Sequence, residues 1–145
     1  MVNRVRKGNR SLLKAKRFAE ECGFKVGKVE FRAKYRKDKD LFGLFDQIWI
    51  RENTVKPLFV QVKTNKKPAS KELEKYLDFA KKYRQFCLYL VFFDRKKEPM
   101  IFFIYPKGIH KLSKNEFKSL VPMLEYDNTI AYFQNLIGND VIIGA

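Results

Sequence analysis

The chain has 145 residues, of which 31 are Lys or Arg and 16 are Asp or Glu, so its formal net charge at pH 7 is +15. Hydrophobic residues make up 46% of the sequence and aromatic residues 15%, which excludes a disordered basic tail and indicates one folded domain over residues 1–145. The excess of positive charge favours a polyanionic partner, nucleic acid before membrane, although a surface of the hyperthermophilic kind is an alternative source of many charged residues.

The cysteine content and the absence of long apolar runs predict where the protein resides. Cys22 and Cys87 lie in apolar patterns without metal-ligand spacing, so we expect small buried hydrophobes in a reducing compartment. No run approaches 18 apolar residues, and the basic first ten residues are not followed by the apolar segment of a signal peptide. We therefore expect a soluble, intracellular (cytoplasmic) protein without a membrane partner.

The chain begins with a basic segment and an amphipathic helix. Four side chains of the first ten residues could face phosphates, and a solvated terminus explains them equally well: Arg4, Arg6, Lys7 and Arg10. Asn9 or Ser11 can cap a helix that runs to about Cys22 and ends at Gly23. Residues 24–32 have the composition of a first strand.

Two further strands carry the candidate site. Leu44–Arg51 and Leu58–Thr64 are rich in aromatic and branched residues and are separated by a polar turn. If they pair as a hairpin, Asp46 lies about 5–7 Å from Gln61 and Lys63. Gln61 and Lys63 are two residues apart and point to the same face. A carboxylate, an amide oxygen and an ammonium on one patch form a candidate metal and phosphate site.

The pattern FD, then fourteen residues, then QVK resembles the core of the PD-(D/E)xK nuclease superfamily, and most closely its archaeal Holliday junction resolvase branch. The resemblance implies that Asp46, Gln61 and the Val62 carbonyl bind Mg²⁺ or Mn²⁺ and that Lys63 assists the attacking water. Gln61 departs from the family pattern, which has Glu or Asp there. Without the resemblance, Gln61 is an ordinary polar residue and Lys63 a solvent-facing lysine at a strand end.

The start of the chain also resembles this family, through Lys7–Gly8 and Gly23–Phe24. The family carries a catalytic Glu four residues after the first glycine, where this chain has Leu12. Glu20 and Glu30 are the candidates for the missing acid, although a surface Glu on a Lys-rich helix is the ordinary explanation for Glu20.

Further basic residues are candidate contacts to the DNA backbone. The resemblance implies that residues 33–39 form a basic loop beside the active site. Lys66 and Lys67, which follow the second strand of the hairpin, are also candidate contacts. A solvated surface explains each of them equally well. The loop residues in this set are Tyr35, Arg36 and Lys37.

The second half of the chain predicts a helix, two strands and a further helix. The elements are a helix at 71–84 capped by Ser70, strands at 86–93 and 100–105, and a helix opened by the capping box of Ser113 and Glu116. We expect His110 to lie in a turn and to be structural. Residues 124–145 are either part of a dimer interface or a helix docked on the core.

The predicted order α-β-β-β-α-β-β-α is compatible with an α/β, restriction-endonuclease-like core over about residues 6–105, with an extension at 106–145. That fold has a mixed sheet with helices on both faces. The resemblance implies a homodimeric, Mg²⁺- or Mn²⁺-dependent endonuclease acting on branched or duplex DNA, and leaves junction, flap, duplex and RNA substrates open. The alternatives are a relative that binds nucleic acid without efficient cleavage, because Leu12 and Gln61 replace acids, and an unrelated protein that uses its charge for anchoring.

Overall fold

The computed structural model describes residues 4–28, 40–125 and 141–144, and the side chains of residues 8–28 and 40–125. The helices in these ranges are α1 (Arg4–Glu21), α2 (Ser70–Tyr83) and α3 (Lys114–Leu120), and α3 is followed by a 3₁₀ helix (Val121–Glu125). The strands are β1 (Lys25–Lys28), β2 (Gln47–Ile50), β3 (Leu58–Thr64), β4 (Phe86–Phe92), β5 (Met100–Tyr105), β6 (Gly108–Leu112) and β7 (Val141–Gly144).

The strands of the described ranges form one sheet, in which their spatial order is the same as their order in the chain. Neighbouring strands are antiparallel except for β3 and β4, which are parallel and are connected by α2. A parallel pair requires such a crossover because its strands start at the same edge of the sheet. The prediction of a mixed sheet is confirmed.

Helices cover both faces of this sheet. Ala15 and Phe18 of α1, together with Phe117 of α3, pack with Trp49 on one face. Tyr76 and the other apolar residues of α2 pack on the opposite face. This arrangement explains why β4 is buried along most of its length and reads as a continuous apolar run. The prediction of helices on both faces is confirmed.

The helix ends differ in detail from the prediction. Helix α1 already begins at Arg4, since Arg and Lys are good helix formers, and it is followed by Gly23 at φ +86°, as expected for a C-terminal cap. The prediction that Ser70 caps α2 is wrong. Ala69 holds the extended cap conformation without a side-chain hydrogen bond, so Ser70 is already helical. The capping box of Ser113 and Glu116 is confirmed.

The sheet continues beyond the predicted strands. Pro106 and Lys107 lie in the turn of a hairpin, and the chain returns as β6, which pairs with β5 and then with β7. The prediction of a turn at His110 is wrong. His110 lies in β6, where it is 1% exposed and its Nε2 is 3.1 Å from the hydroxyl of Tyr105. Within the described ranges, no helix is long and apolar enough to cross a membrane.

Candidate metal and phosphate site

Asp46 is positioned by a tight turn directly before β2. Residues 41–45 close this turn through a bridge between Leu41 and Phe45, with Phe42 at φ +57° and Gly43 at φ +71°. The backbone N–H of Asp46 then donates to the carbonyl of Val60 over 2.8 Å. Asp46 thus lies beside β3 although the predicted strand from Leu44 is shorter in the structure, where it begins at Gln47.

The structure brings Asp46, Gln61 and Lys63 together. The Oδ2 atom of Asp46 accepts a hydrogen bond from the backbone N–H of Val62 over 3.1 Å. In its hydrogen-bonded orientation, the Gln61 amide donates to Asp46 Oδ2 over 2.8 Å and to the carbonyl of Leu44 over 3.0 Å, and its oxygen accepts from Lys63 Nζ over 3.2 Å. Gln61 is only 3% exposed, so its amide, which links the carboxyl of Asp46 to the ammonium of Lys63, is shielded from water.

Helix α2 stabilises the turn beside this cluster through Tyr76. The hydroxyl of Tyr76 donates to the carbonyl of Leu44 over 3.0 Å, so this carbonyl has a partner besides the amide of Gln61. Tyr76 is 1% exposed and packs edge-on against Phe45. The turn that carries Asp46 is therefore held by the core on the α2 face.

Asp40 is a site residue that the sequence analysis missed. The pKa of Asp46 is raised from 3.8 to about 7. Burial is the largest cause and the charge and hydrogen bond of the Asp40 side chain add to it, while the Val62 N–H and the charge of Lys63 act in the opposite direction. Two carboxyl groups in contact resist double ionisation, unless a cation lies between them. The sequence shows Asp40 six residues before Asp46, but only the intervening turn brings the two together.

Asp46 lines a cleft of about 330 Å³ between α1 and the edge of the sheet. Leu12 lines this cleft, so the position at which the resemblance expects a catalytic Glu shares the cleft with Asp46 but is apolar. Lys16 and Lys28 line the same cleft and were not among the predicted residues. The spacing of Leu12 and Lys16, one helical turn apart, was the signal that could have identified Lys16.

Two polar contacts hold α1 against this part of the sheet. Ser11 Oγ lies 2.6 Å from Thr64 Oγ1 at the end of β3. Gln47 Nε2 donates to the carbonyl of Leu12 over 3.1 Å, and its Oε1 accepts from Trp49 Nε1 over 2.9 Å. The cleft beside Asp46 therefore has a fixed wall.

The remaining predicted residues lie elsewhere. Glu20 is exposed on α1, about two turns beyond Leu12, and the structure does not bring it to Asp46. Arg10 is exposed on α1, and Lys66 and Lys67 are exposed after β3. Arg4, Arg6 and Lys7 lie in the first turns of α1, where only the backbone is described. The predictions for Glu30, Tyr35, Arg36 and Lys37 lie outside the described residues.

The donor atoms at Asp46 fit a weakly held Mg²⁺ or Mn²⁺. Among the described residues there is no group of three or more His, Cys, Asp and Glu side chains that could hold a metal. Mg²⁺ does not need one, since it binds through one or two carboxylates, neutral oxygens and water. Asp46 and Asp40 supply the carboxylates. The carbonyl of Val62 points to the same side of β3 as its N–H, which contacts Asp46.

Fold and site together define a mixed α/β protein with a carboxylate–amide–lysine cluster where two paired strands meet a cleft. No protein-family model matches the chain, and no curated protein matches it. Among solved structures, the fold of this chain is similar to the structure of Archaeoglobus fulgidus Hjc, a Holliday junction resolvase from an archaeal hyperthermophile, with a TM-score of 0.47 and 14% sequence identity. The match covers 79% of this chain and 99% of that chain. A similarity this low assigns no activity to the present chain.

Proposed function

We propose that this protein is a metal-dependent DNA endonuclease that hydrolyses phosphodiester bonds in branched, Holliday-junction-like DNA. The observation that carries the proposal is the contact of Asp46 with Gln61 and of Gln61 with Lys63, beside a cleft that Asp46, Lys16 and Lys28 line. Hydrolysis of a phosphodiester requires stabilisation of the negative charge that develops on the phosphate and activation of a water molecule. The cluster contains the residue types that meet both requirements.

Each side chain has a distinct role in the proposed reaction. Asp46 and Asp40 hold the cation, with neutral oxygens from Gln61 and Val62. The bound cation would supply positive charge to the phosphate and lower the pKa of the attacking water. Lys63, whose charge acts on Asp46 and whose ammonium contacts Gln61, orients the scissile phosphate. Lys16 and Lys28 bind the flanking phosphates along the cleft.

The preference for branched DNA, the intracellular location and the homodimer are parts of the same proposal. Symmetric cutting of a junction requires two sites related by a two-fold axis, which a homodimer provides. An exposed aromatic groove of about 560 Å³ supports self-association. Phe42 and Tyr83 on this groove are 66% and 54% exposed, and Phe59 and Phe79 line it.

A cleavage assay tests the proposed function. Labelled four-way junction, flap, duplex and single-stranded DNA are incubated with the wild type in Mg²⁺, Mn²⁺ or EDTA, beside Asp46→Ala and Lys63→Ala. Glu74→Ala and Lys81→Ala, both exposed on α2, are the matched controls for loss of one charge. We expect metal-dependent cutting by the wild type and the controls only. Cutting that survives in EDTA or in Asp46→Ala would overturn the proposal.

The second candidate function is DNA binding without efficient cleavage. It is favoured by the apolar Leu12 in the cleft and by the neutral Gln61, which together leave the described part of the site with fewer acids than the resemblance implies. Binding that weakens with salt, needs no metal and is unchanged in Asp46→Ala would support this candidate.

A further inference from the structure

The Gln61 amide can adopt two orientations that differ by a half-turn about its terminal bond. In the hydrogen-bonded orientation, its NH₂ group donates to Asp46 Oδ2 and to the carbonyl of Leu44, and its oxygen accepts from Lys63. The half-turn exchanges the atoms, so the amide oxygen faces the two oxygens and the NH₂ group faces the ammonium. Without a cation, and with Asp46 ionised, this second orientation sets acceptor against acceptor and donor against donor.

A divalent cation reverses this preference. Ligand oxygens at adjacent corners of an Mg²⁺ octahedron are about 3.0 Å apart, given Mg–O distances of about 2.1 Å. The terminal amide atom of Gln61 lies 2.8 Å from Asp46 Oδ2, so after the half-turn two oxygens have the separation that a cation needs. The oxygen can be a ligand only after the half-turn, because the NH₂ group otherwise occupies its place.

The half-turn also changes the surroundings of Lys63. In the first orientation, the Lys63 ammonium donates to the Gln61 oxygen over 3.2 Å. After the half-turn, the NH₂ group of Gln61 takes the place of that oxygen, so the ammonium faces a donor. A lysine ammonium needs acceptors for its three N–H groups, and phosphate oxygens supply them. A carboxylate at position 61 would accept from Lys63 and bind the cation at once, so this coupling depends on the amide.

We propose that Gln61 is a two-position switch, which turns its oxygen from Lys63 towards Asp46 when a divalent cation binds and thereby releases Lys63 to a phosphate. The inference rests on the proposed function and deepens it, because it makes Gln61 a positioning residue for Lys63. On this proposal, having Gln61 where the resemblance expects an acid has a consequence for Lys63: the amide holds the lysine until the cation binds.

Side-chain amide NMR tests the switch without any DNA. Protein labelled with ¹⁵N-glutamine is titrated with Mg²⁺, and the hydrogen exchange of the Gln61 NH₂ group is measured. We expect slow exchange before Mg²⁺, because both protons are bonded, and exchange at least about tenfold faster at saturation, because those bonds are lost. Gln47 is the internal control, since its partners are the carbonyl of Leu12 and Trp49, and its amide should not change.

Gln61→Glu provides a second measurement. It adds a negative charge beside Asp46, so we expect Mg²⁺ to bind about tenfold or more tightly, by calorimetry. Because a carboxylate has an oxygen on each side, the Lys63 side-chain resonances should respond to Mg²⁺ less in Gln61→Glu than in the wild type.

The outcomes separate the switch from the proposed function. If Mg²⁺ shifts the backbone N–H of Val62, which contacts Asp46, while the Gln61 amide keeps its slow exchange, the switch is wrong and the cation site stands. If tens of millimolar Mg²⁺ move no resonance around Asp46, both the switch and the metal-dependent function are wrong.

Discussion

Two buried glutamines on neighbouring strands have opposite surroundings. Gln47 is 1% exposed and Gln61 is 3% exposed, and Gln47 is paired in the sheet with Val60, the residue before Gln61. The partners of Gln47 are a carbonyl and an indole N–H, which keep one charge state at every pH of interest. The partners of Gln61 include the carboxyl of Asp46 and the ammonium of Lys63.

The difference teaches how to separate a structural from a functional buried amide. A glutamine bonded to neutral groups joins two elements, here α1 and β2, and is satisfied in a single orientation. A glutamine bonded to charged groups depends on their charge and on any ion that they attract. Gln47 should therefore affect the stability of the protein, and Gln61 its response to cations.

The largest expected effect is the loss of cleavage rate when Asp46, a partner of Gln61, is replaced. Asp46→Asn should lower the rate of cleavage by about 100-fold or more, the scale reported for loss of one electrostatic contact to a reacting group. The measurement is single-turnover cleavage of the preferred DNA, with Glu74→Gln as the exposed control. Equal rates for both variants would contradict the role of Asp46.

Gln47→Leu is expected to act on stability instead. It leaves the Trp49 indole N–H and the carbonyl of Leu12 without their partner, which should lower the free energy of unfolding by about 1–3 kcal/mol. Urea unfolding followed by Trp49 fluorescence measures the change. Gln85→Leu, at a more exposed position, should change stability by less than about 0.5 kcal/mol. Equal losses in both variants would contradict the structural role of Gln47.

The raised pKa of Asp46 predicts how stability depends on pH. Its pKa rises from 3.8 to about 7 in the folded protein, so the folded state binds the proton more tightly than the unfolded chain. The stability from this proton is complete below the unfolded pKa of 3.8 and is lost as the pH rises to about 7. Asp46→Asn lacks this titration, so its stability relative to the wild type should increase over that range.

Urea unfolding in metal-free buffer, at several pH values, measures this difference for the two proteins. Saturating Mg²⁺ should reduce it by stabilising the ionised carboxylate. A difference that does not change with pH would show that the carboxyl of Asp46 titrates normally in the folded protein.

The smallest expected effect concerns the wall of the cleft. Ser11→Ala removes the hydroxyl contact with Thr64 and should lower the free energy of unfolding by about 0.5–1.5 kcal/mol. Ser119→Ala, on the exposed side of α3, is the control because both substitutions give the same gain in helix propensity. No difference between the two variants would mean that the contact contributes nothing.

Local patterns predicted much of this site. The two-residue spacing of Gln61 and Lys63 places them on one face of any strand, and the apolar alternation of residues 58–64 makes that strand unambiguous. Asp46 was predicted through hairpin pairing, which local sequence also favours. Asp40 was not predicted, since its contact depends on a turn with a left-handed Phe42, a conformation that phenylalanine does not suggest.

The sequence by itself determined the chain's charge, its helices at the amphipathic segments, and the strand that carries Gln61 and Lys63, because these follow from composition and short-range periodicity. Only the tertiary structure decided that Asp40 contacts Asp46, that Leu12 lines the cleft beside Asp46, and that Gln47 and Gln61 have different partners. These outcomes depend on which distant segments pack together and on how much water that packing removes, and burial changes both pKa values and hydrogen-bond partners.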